Sequence, residues 1–386
     1  MLKRALIILA LDICLFVILY SLLPYERSEN LGVCLLVFVG ILWLTEAIHV
    51  SLTALLVPVL SVLLGLQNTS SALSTFANPI IFLFFGGFAL ATALHIQGID
   101  KLIAQKLIVL AKGKVKIAVF MLFVVTALLS MWISNTATAA IMLPLGLGIL
   151  KNLSAQEDRQ TFVFVLLGIA YSASIGGFGT LVGSPPNAIA ASSLGIGFLE
   201  WMKLGIPFML VMFPSCLFIL YLSTKPNLDE NFSMQFEKME WNSHKTITIF
   251  IFVLMAFAWI FSGQISSWLG GIQDIDAMIA LIGAVAIGLS GVASWKEIQK
   301  NTDWGVLFLF GGGLALGGII KDSGASAVMA NTIAKALGMG DFGVSTLGFG
   351  SWILVIATLA IFIILLTEFT SNTASASLLI PVFASL

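Results

Sequence analysis

Residues 117–150 read IAVFMLFVVTALLSMWISNTATAAIMLPLGLGIL, a stretch of 34 residues without a charged side chain. As one straight helix it would be about 50 Å long, well beyond the ~30 Å hydrocarbon core of a bilayer. It is also too short for two full crossings, which need about 20 residues each. Ser134, Asn135 and Thr136 lie at its middle. We therefore predict a re-entrant hairpin, in which two half-length helices meet at a polar tip and both ends lie on the same side of the membrane.

The polar tip occurs twice in the chain. Residues 134–144 read SNTATAAIMLP, and residues 371–381, 237 positions later, read SNTASASLLIP. A hydroxyl side chain precedes each copy by four residues, Ser130 in the first and Thr367 in the second. A duplicated polar tip in an apolar protein predicts one site that two halves of the chain build together.

The composition excludes a soluble globular protein. Hydrophobic residues make up 59% of the chain and charged residues 10%, and the mean hydropathy is +1.07. The apolar runs are long and unbroken, which is typical of a polytopic α-helical membrane protein and not of alternating β-barrel strands. The net charge of −1 gives no indication of nucleic-acid binding. The three cysteines lie inside apolar runs without disulfide or metal-site spacing.

A second apolar run, residues 161–199, is interrupted by GGFGTLVGSPPN at 176–187. Glycines and a proline pair at this depth predict a broken helix. Non-helical backbone inside a membrane is tolerated only where it lines a cavity or is buried in protein. The break is therefore a second candidate for part of the site.

The order of segments predicts an N-terminal span (1–30), a first repeat (31–222), a polar cytoplasmic linker (223–245) and an incomplete second repeat (246–386). The second hairpin falls around residues 344–386. With the N-terminus in the cytoplasm, 14 of the 18 Lys and Arg residues lie on inner segments. A lysine-rich stretch at 99–116 is interpreted as an interfacial helix on that side. The hairpins then enter from opposite sides, as in inverted-repeat secondary transporters.

The two repeats differ in length. In the first, 88 residues follow Ser134 up to the end of the sixth span at 222, whereas 15 follow Ser371. Repeat symmetry predicts a second broken helix and about 70 further residues. We therefore expect the second repeat to be truncated in this chain.

A broken helix in the membrane provides two kinds of backbone group. The second half-helix presents free N–H groups and the positive end of its dipole, and Ser or Asn serve there as N-caps. The first half-helix presents free carbonyl oxygens, which suit Na⁺. No Lys or Arg lies inside the first hairpin or the break, so we expect an anion to be held by N–H groups, hydroxyls and neighbouring Na⁺.

The paired SNT tips, the GSPPN break at 183–187 and TEAI at 45–48 resemble the divalent anion:sodium symporters, the family of dicarboxylate, citrate and sulfate transporters. The resemblance covers nearly the whole chain. It implies two or more coupling Na⁺ ions, a dicarboxylate between the two tips, and a homodimer in which a mobile domain moves like an elevator. It implies a first sodium site at Ser130, Ser134, Asn135 and the Gly183 carbonyl, and a second at Thr367, Asn372 and the Thr370 carbonyl. The implied substrate contacts are Ser134, Asn135, Thr136, Ser184, Ser371, Asn372 and Thr373.

Two features depart from the family pattern. His49 stands where the family usually has proline after the TEAI run, which leaves the start of the third span open. The second Pro-Asn break, which would complete the second sodium site, has no counterpart in the chain.

Other interpretations stay open at this level. Ser130 and Thr367 also suit interhelical hydrogen bonding, while Asp12, Glu46 and Glu368 suit structural roles near helix ends or in a dimer scaffold. The sequence contains no Ser/His, paired-Asp or HExxH set that would suggest an enzyme. It also contains no selectivity-filter loop that would suggest a channel. We expect a Na⁺-coupled importer of di- or tricarboxylates of the succinate, fumarate and malate type in the inner membrane. The alternatives are a Na⁺-independent dicarboxylate exchanger, a carrier of sulfate or another oxyanion, and an inactive fragment.

Overall fold

A computed structural model describes residues 2–232, 240–336, 357, 360–368 and 371–385. These residues are helical apart from turns and connections, and no β-strand occurs among them. The helices of the first part of the chain are α1 (Leu2–Leu22), α2 (Arg27–Thr45), α3 (Val50–Leu63), α4 (Thr69–Ser74), α5 (Pro79–Ile96), α6 (Ile99–Val109), α7 (Val115–Ser130), α8 (Asn135–Ile149), α9 (Arg159–Gly176), α10 (Pro185–Leu194) and α11 (Phe198–Thr224).

The second part of the chain begins after the linker. Its helices are α12 (Ser243–Ile260), α13 (Ser262–Trp268), α14 (Ile275–Leu289), α15 (Trp295–Asn301), α16 (Trp304–Asp322), α17 (Ala325–Ala336) and α18 (Asn372–Ser385). Residues 360–367 are also helical. The remainder of the predicted second hairpin lies outside the described residues.

Seven helical runs within the described part are long and apolar enough to cross a membrane. They are Lys3–Leu22, Arg27–Thr45, Thr69–Ile96, Arg159–Gly179, Phe198–Thr224, Ser243–Ile260 and Trp304–Asp322. The protein is therefore an all-α polytopic membrane protein, which confirms the fold class predicted from composition.

Local signals fix several helix starts. Glu26 and Glu29 form a capping box at the start of α2, and the Asp303 carboxylate accepts a hydrogen bond from the Val306 amide at the start of α16. His49, which departs from the expected proline, caps α3, because its Nδ1 accepts a hydrogen bond from the Ser51 amide at 3.3 Å. The helix α3 therefore begins at Val50 with a different capping group.

Contacts divide the chain into two compact units. Unit 1 comprises Met1–Ile81, Ser192–Leu194 and Asp303–Leu386, and unit 2 comprises Phe82–Ala191 and Gly195–Thr302. Each unit therefore draws on segments from both predicted repeats. The repeat boundaries themselves remain a prediction from sequence.

In unit 1, α16 packs against α2, α3 and α18. Its run Gly311-Gly312-Gly313 allows this close approach. An ideal Cβ on Gly312 would lie 2.6 Å from the Ala54 Cα, and one on Gly313 would lie 2.9 Å from the Ser377 Cβ. This glycine run therefore lies at helix–helix contacts.

In unit 2, the core is built from α6, α7, α8, α9 and α11. Phe123 on α7 stacks edge-on against Phe164 on α9 at 5.5 Å between ring centroids. The linker also contributes, because the Val115 amide donates to the Glu230 carbonyl and the Phe232 amide donates to the Gly113 carbonyl. The base of α7 is thus fixed by the segment that leads into the second part of the chain.

Replacing Gly312 by alanine tests the packing of unit 1. We expect G312A to lower the free energy of unfolding by about 1–3 kcal/mol, since the added methyl group meets the backbone of α3. The matched control is G318A on the same helix, where an added Cβ meets nothing within 4 Å. Thermal unfolding of both purified variants in detergent provides the measurement, and equal melting temperatures would contradict the packing.

Candidate functional site

The first polar tip joins α7 to α8. The two helices have 16 and 15 residues, or about 24 Å and 22 Å, so each is shorter than the ~30 Å hydrocarbon core. Met131, Trp132, Ile133 and Ser134 form the connection between them. Ser134 caps α8, since its hydroxyl accepts a hydrogen bond from the Ala137 amide at 3.4 Å. Two short helices joined by a polar connection agree with the hairpin predicted for residues 117–150. Re-entry of this hairpin into the membrane remains a proposal.

Ser130 and Asn135 face each other across this connection. The Ser130 hydroxyl is fully buried and donates to the Asn135 Oδ1 at 2.8 Å. The Asn135 side chain lies against Gly177, where an added Cβ would clash with its Oδ1. The end of α7, the start of α8 and the break after α9 therefore meet at one place.

The break itself consists of two short 3₁₀ turns, Gly177–Gly179 and Leu181–Gly183, between α9 and α10. Asn187 is buried, and its Nδ2 donates to the Gly177 carbonyl at 2.7 Å and to the Thr180 carbonyl at 2.8 Å. The Thr180 hydroxyl donates to the Met131 carbonyl. These bonds satisfy backbone groups that the break would otherwise leave unpaired in an apolar environment. They also tie the break to the tip.

Carbonyl oxygens converge beside Gly183. An ideal Cβ on this residue would lie 2.5 Å from the Gly177 carbonyl oxygen and 3.0 Å from that of Ser130. A side chain here would therefore collide with the oxygen atoms that bound this space. Hydroxyl, amide and carbonyl oxygens are the ligands that a hard cation prefers, so this donor set fits Na⁺.

The structure brings together Ser130, Asn135 and Gly183, three of the four residues that the resemblance implies for the first sodium site. The fourth, Ser134, lies at the exposed start of α8. The Gly177 and Ser130 carbonyl oxygens were not among the predicted ligands. The glycines at 176, 177 and 179 were the signal that could have indicated a close backbone approach at this point.

The hydroxyl side chains predicted to contact substrate are placed differently. Ser134 and Thr136 are exposed at the first tip, and Ser184 is half-buried in extended backbone just before Pro185. The start of α8 presents free N–H groups there, whereas α10 begins with Pro185 and Pro186, which have no N–H, and the Asn187 amide donates to the Ser184 carbonyl. Hydroxyls and helix N-termini together suit an anion, because both supply hydrogen-bond donors.

An aromatic stack, not predicted from the sequence, holds the tip. The Trp132 ring lies parallel to Phe198 at 6.2 Å and to Trp259 at 6.3 Å, and edge-on to Phe252 at 5.1 Å. Phe198 and Trp259 stack on each other at 4.7 Å. Asp276 anchors both, because its Oδ2 accepts from the Phe198 amide and its backbone carbonyl accepts from the Trp259 Nε1. The stack fixes the connection two residues before Ser134.

The second tip belongs to unit 1. Ser371 caps α18, since its hydroxyl accepts a hydrogen bond from the Ala374 amide at 3.1 Å. Ser371 and Asn372 are exposed and Thr373 is half-buried. The Thr367 hydroxyl donates to the Ile364 carbonyl at 2.9 Å, within its own helix. Thr370 lies outside the described residues, so they cover the predicted second sodium site only in part.

Comparison with known proteins identifies the family. A family model described as CitMHS, citrate transporter, matches residues 40–386. The chain belongs to this family. It is 54% identical over 387 aligned residues to an uncharacterized transporter of Haemophilus influenzae, covering 98% of this chain and 82% of the relative. It is 38% identical over 352 residues to an uncharacterized transporter of Methanocaldococcus jannaschii, covering 91% and 77%.

A third relative carries a more specific name. The sodium-dependent dicarboxylate transporter SdcS of Staphylococcus saprophyticus is 31% identical over 409 residues, covering 96% of this chain and 76% of the relative. These matches confirm the resemblance to divalent anion:sodium symporters. This member of the citrate transporter family is therefore a membrane transporter and not an enzyme.

Substitution of Gly183 by alanine tests the oxygen-bounded space. We expect G183A to abolish most transport and to lower the melting temperature, since the methyl group meets two backbone carbonyls that cannot move independently. The control is G288A on α14, where an added Cβ has no neighbour within 4 Å. Transport by G183A equal to that of G288A would contradict a functional role for this space.

Proposed function

We propose that this protein is a Na⁺-coupled symporter that imports C4-type dicarboxylates such as succinate or fumarate. The observation that carries the proposal is the convergence at the first tip of the Ser130 hydroxyl and the Asn135 Oδ1 with the Gly177 and Ser130 carbonyl oxygens beside Gly183. The name of the Staphylococcus relative, a sodium-dependent dicarboxylate transporter, supports the choice of ion and substrate.

Na⁺ binds first in this proposal. The ion draws together the Ser130 and Asn135 side chains and the carbonyl oxygens beside Gly183, and so orders the tip. Its charge also favours an anion at the neighbouring N–H groups and hydroxyls. Substrate affinity then depends on bound Na⁺, and by thermodynamic reciprocity Na⁺ affinity depends on substrate to the same degree.

The second sodium ion and the full substrate site rest on the sequence repeat. We assign the second ion to Thr367, Asn372 and the Thr370 carbonyl. We assign the substrate carboxylates to Ser134, Asn135, Thr136 and Ser184 from the first repeat. The second repeat contributes Ser371, Asn372 and Thr373.

The remaining features of the proposal follow from the family resemblance and from the charge pattern. We place the protein in the inner membrane with its N-terminus in the cytoplasm, because Lys and Arg are concentrated on the segments assigned to that side. We further propose a homodimer and an elevator-like movement with alternating access to the site. Inverted repeats in secondary transporters support a cycle of this kind.

Uptake of labelled succinate into proteoliposomes tests the function. An inward Na⁺ gradient should drive accumulation, and replacement of Na⁺ by K⁺ should remove it. N135A should abolish Na⁺-dependent uptake, whereas N152A, on a surface turn where its side chain contacts the Asn231 carbonyl at 3.4 Å, should retain it. Normal uptake by N135A would refute the site assignment. Uptake that does not depend on Na⁺ but requires internal dicarboxylate would instead identify an exchanger.

Removal of the Ser130 hydroxyl tests its role as a sodium ligand. We expect S130A to raise the Na⁺ concentration for half-maximal uptake about tenfold, as loss of one buried ligand costs on the order of 1.4 kcal/mol, with near-normal uptake at saturating Na⁺. The control is T126V one helical turn earlier on α7, where the buried hydroxyl only donates to the Leu122 carbonyl. An unchanged Na⁺ dependence in S130A would indicate that the Ser130 hydroxyl has only a structural role and is not a sodium ligand.

A further inference from the structure

The segment from Ile99 to Lys116 presents two different faces. On one face Ala104, Ile108 and Ala111 are completely buried and belong to the core of unit 2. The orientation of α6 about its own axis is therefore fixed by packing. The opposite face is held outward as a consequence.

The outward face combines basic and apolar side chains. Three large apolar residues lie on it, Ile103, Val109 and Leu110, and the last two are 55% and 61% exposed. Five exposed lysines accompany them: Lys101, Lys106, Lys112, Lys114 and Lys116. We call these eight side chains the basic surface.

Acidic side chains are almost absent from this surface. Asp100 is the only carboxylate between residues 96 and 120, and it is fully buried. Its two oxygens contact the His95 Nδ1 at 2.9 Å and the Lys101 amide at 2.6 Å. Among the described residues none of the five lysines forms an ion pair with a carboxylate.

The neighbouring linker reduces the charge only in part. Asp229 and Glu230 are exposed beside Asn231, which pairs with Lys114 in an isolated bridge. The five lysines outnumber these two exposed carboxylates. These five lysines also count towards the charge bias that orients the chain, and they lie within 16 residues of one another.

We propose that the basic surface binds anionic phospholipids of the leaflet that it faces. The lysine ammonium groups pair with lipid phosphates, while Ile103, Val109 and Leu110 enter the boundary between headgroups and acyl chains. The apolar side chains decide the source of the phosphate. Free phosphate ions would leave them in water, whereas a lipid headgroup and its acyl chains satisfy both kinds of side chain.

Native mass spectrometry of the purified protein tests this binding without any transport measurement. The protein is exchanged into micelles that contain equimolar phosphatidylglycerol and phosphatidylcholine, and the retained lipids are counted. We expect the native chain to retain phosphatidylglycerol about tenfold more than phosphatidylcholine, a modest value for several lysines near an anionic surface. Replacement of all five lysines by glutamine should reduce the ratio to about one.

Two variants control for charge and for folding. K296Q/K300Q neutralises two exposed lysines on α15 and should keep the full preference. Replacement of the five lysines by arginine keeps the charge and should also keep the preference for phosphatidylglycerol. The proposal would be overturned if the native chain showed no preference for phosphatidylglycerol, or if the glutamine variant retained that preference.

Salt and free phosphate give a test that needs no variant. Raising NaCl from about 0.1 M to about 1 M shortens the Debye length from ~10 Å to ~3 Å and should reduce the preference of the native chain. Millimolar inorganic phosphate at constant ionic strength should leave it unchanged. Displacement of lipid by free phosphate would show that the surface recognises the ion alone and would refute the lipid assignment.

Discussion

The requirement that every backbone polar group in hydrocarbon finds a partner governs this structure. α9 ends at Gly176 and α10 begins at Pro185, so the residues between them leave carbonyl and amide groups outside any helix. The Asn187 side chain satisfies two of these carbonyls, and the Thr180 hydroxyl satisfies one on the facing tip. A break in a membrane helix is stable here because side chains replace the missing helical hydrogen bonds.

The same constraint connects folding to function. In the proposed mechanism, oxygen atoms that no helix uses bind a cation, and the amides at the start of α8 bind an anion. A transporter can therefore bind both kinds of ion in a membrane without an internal Lys or Arg. The absence of charged side chains between residues 117 and 150 is consistent with this use of the backbone.

Much of the first tip could be predicted from the sequence. The charge-free length of 117–150 required a short helix on each side of a polar centre, and α7 and α8 end and begin around Ser134 as expected. The Gly and Pro residues of 176–187 required a break. The motif resemblance also placed Ser130, Asn135 and Gly183 together. Each inference used either a local pattern or a motif that carries its own spacing.

Other features depend on contacts between distant residues. The stack of Trp132 on Phe198 and Trp259 joins three segments, and apolar periodicity cannot pair one aromatic ring with another. The sequence indicated that Asn187 belongs to the break. Its two acceptors, the Gly177 and Thr180 carbonyls, depend on the conformation of the two 3₁₀ turns. The sequence alone determined that the chain is an α-helical membrane protein with duplicated polar tips, because helix length, charge and repetition are local properties. Only the tertiary structure decided which oxygens converge and which segments form each compact unit, because those depend on packing between segments that are distant in the sequence.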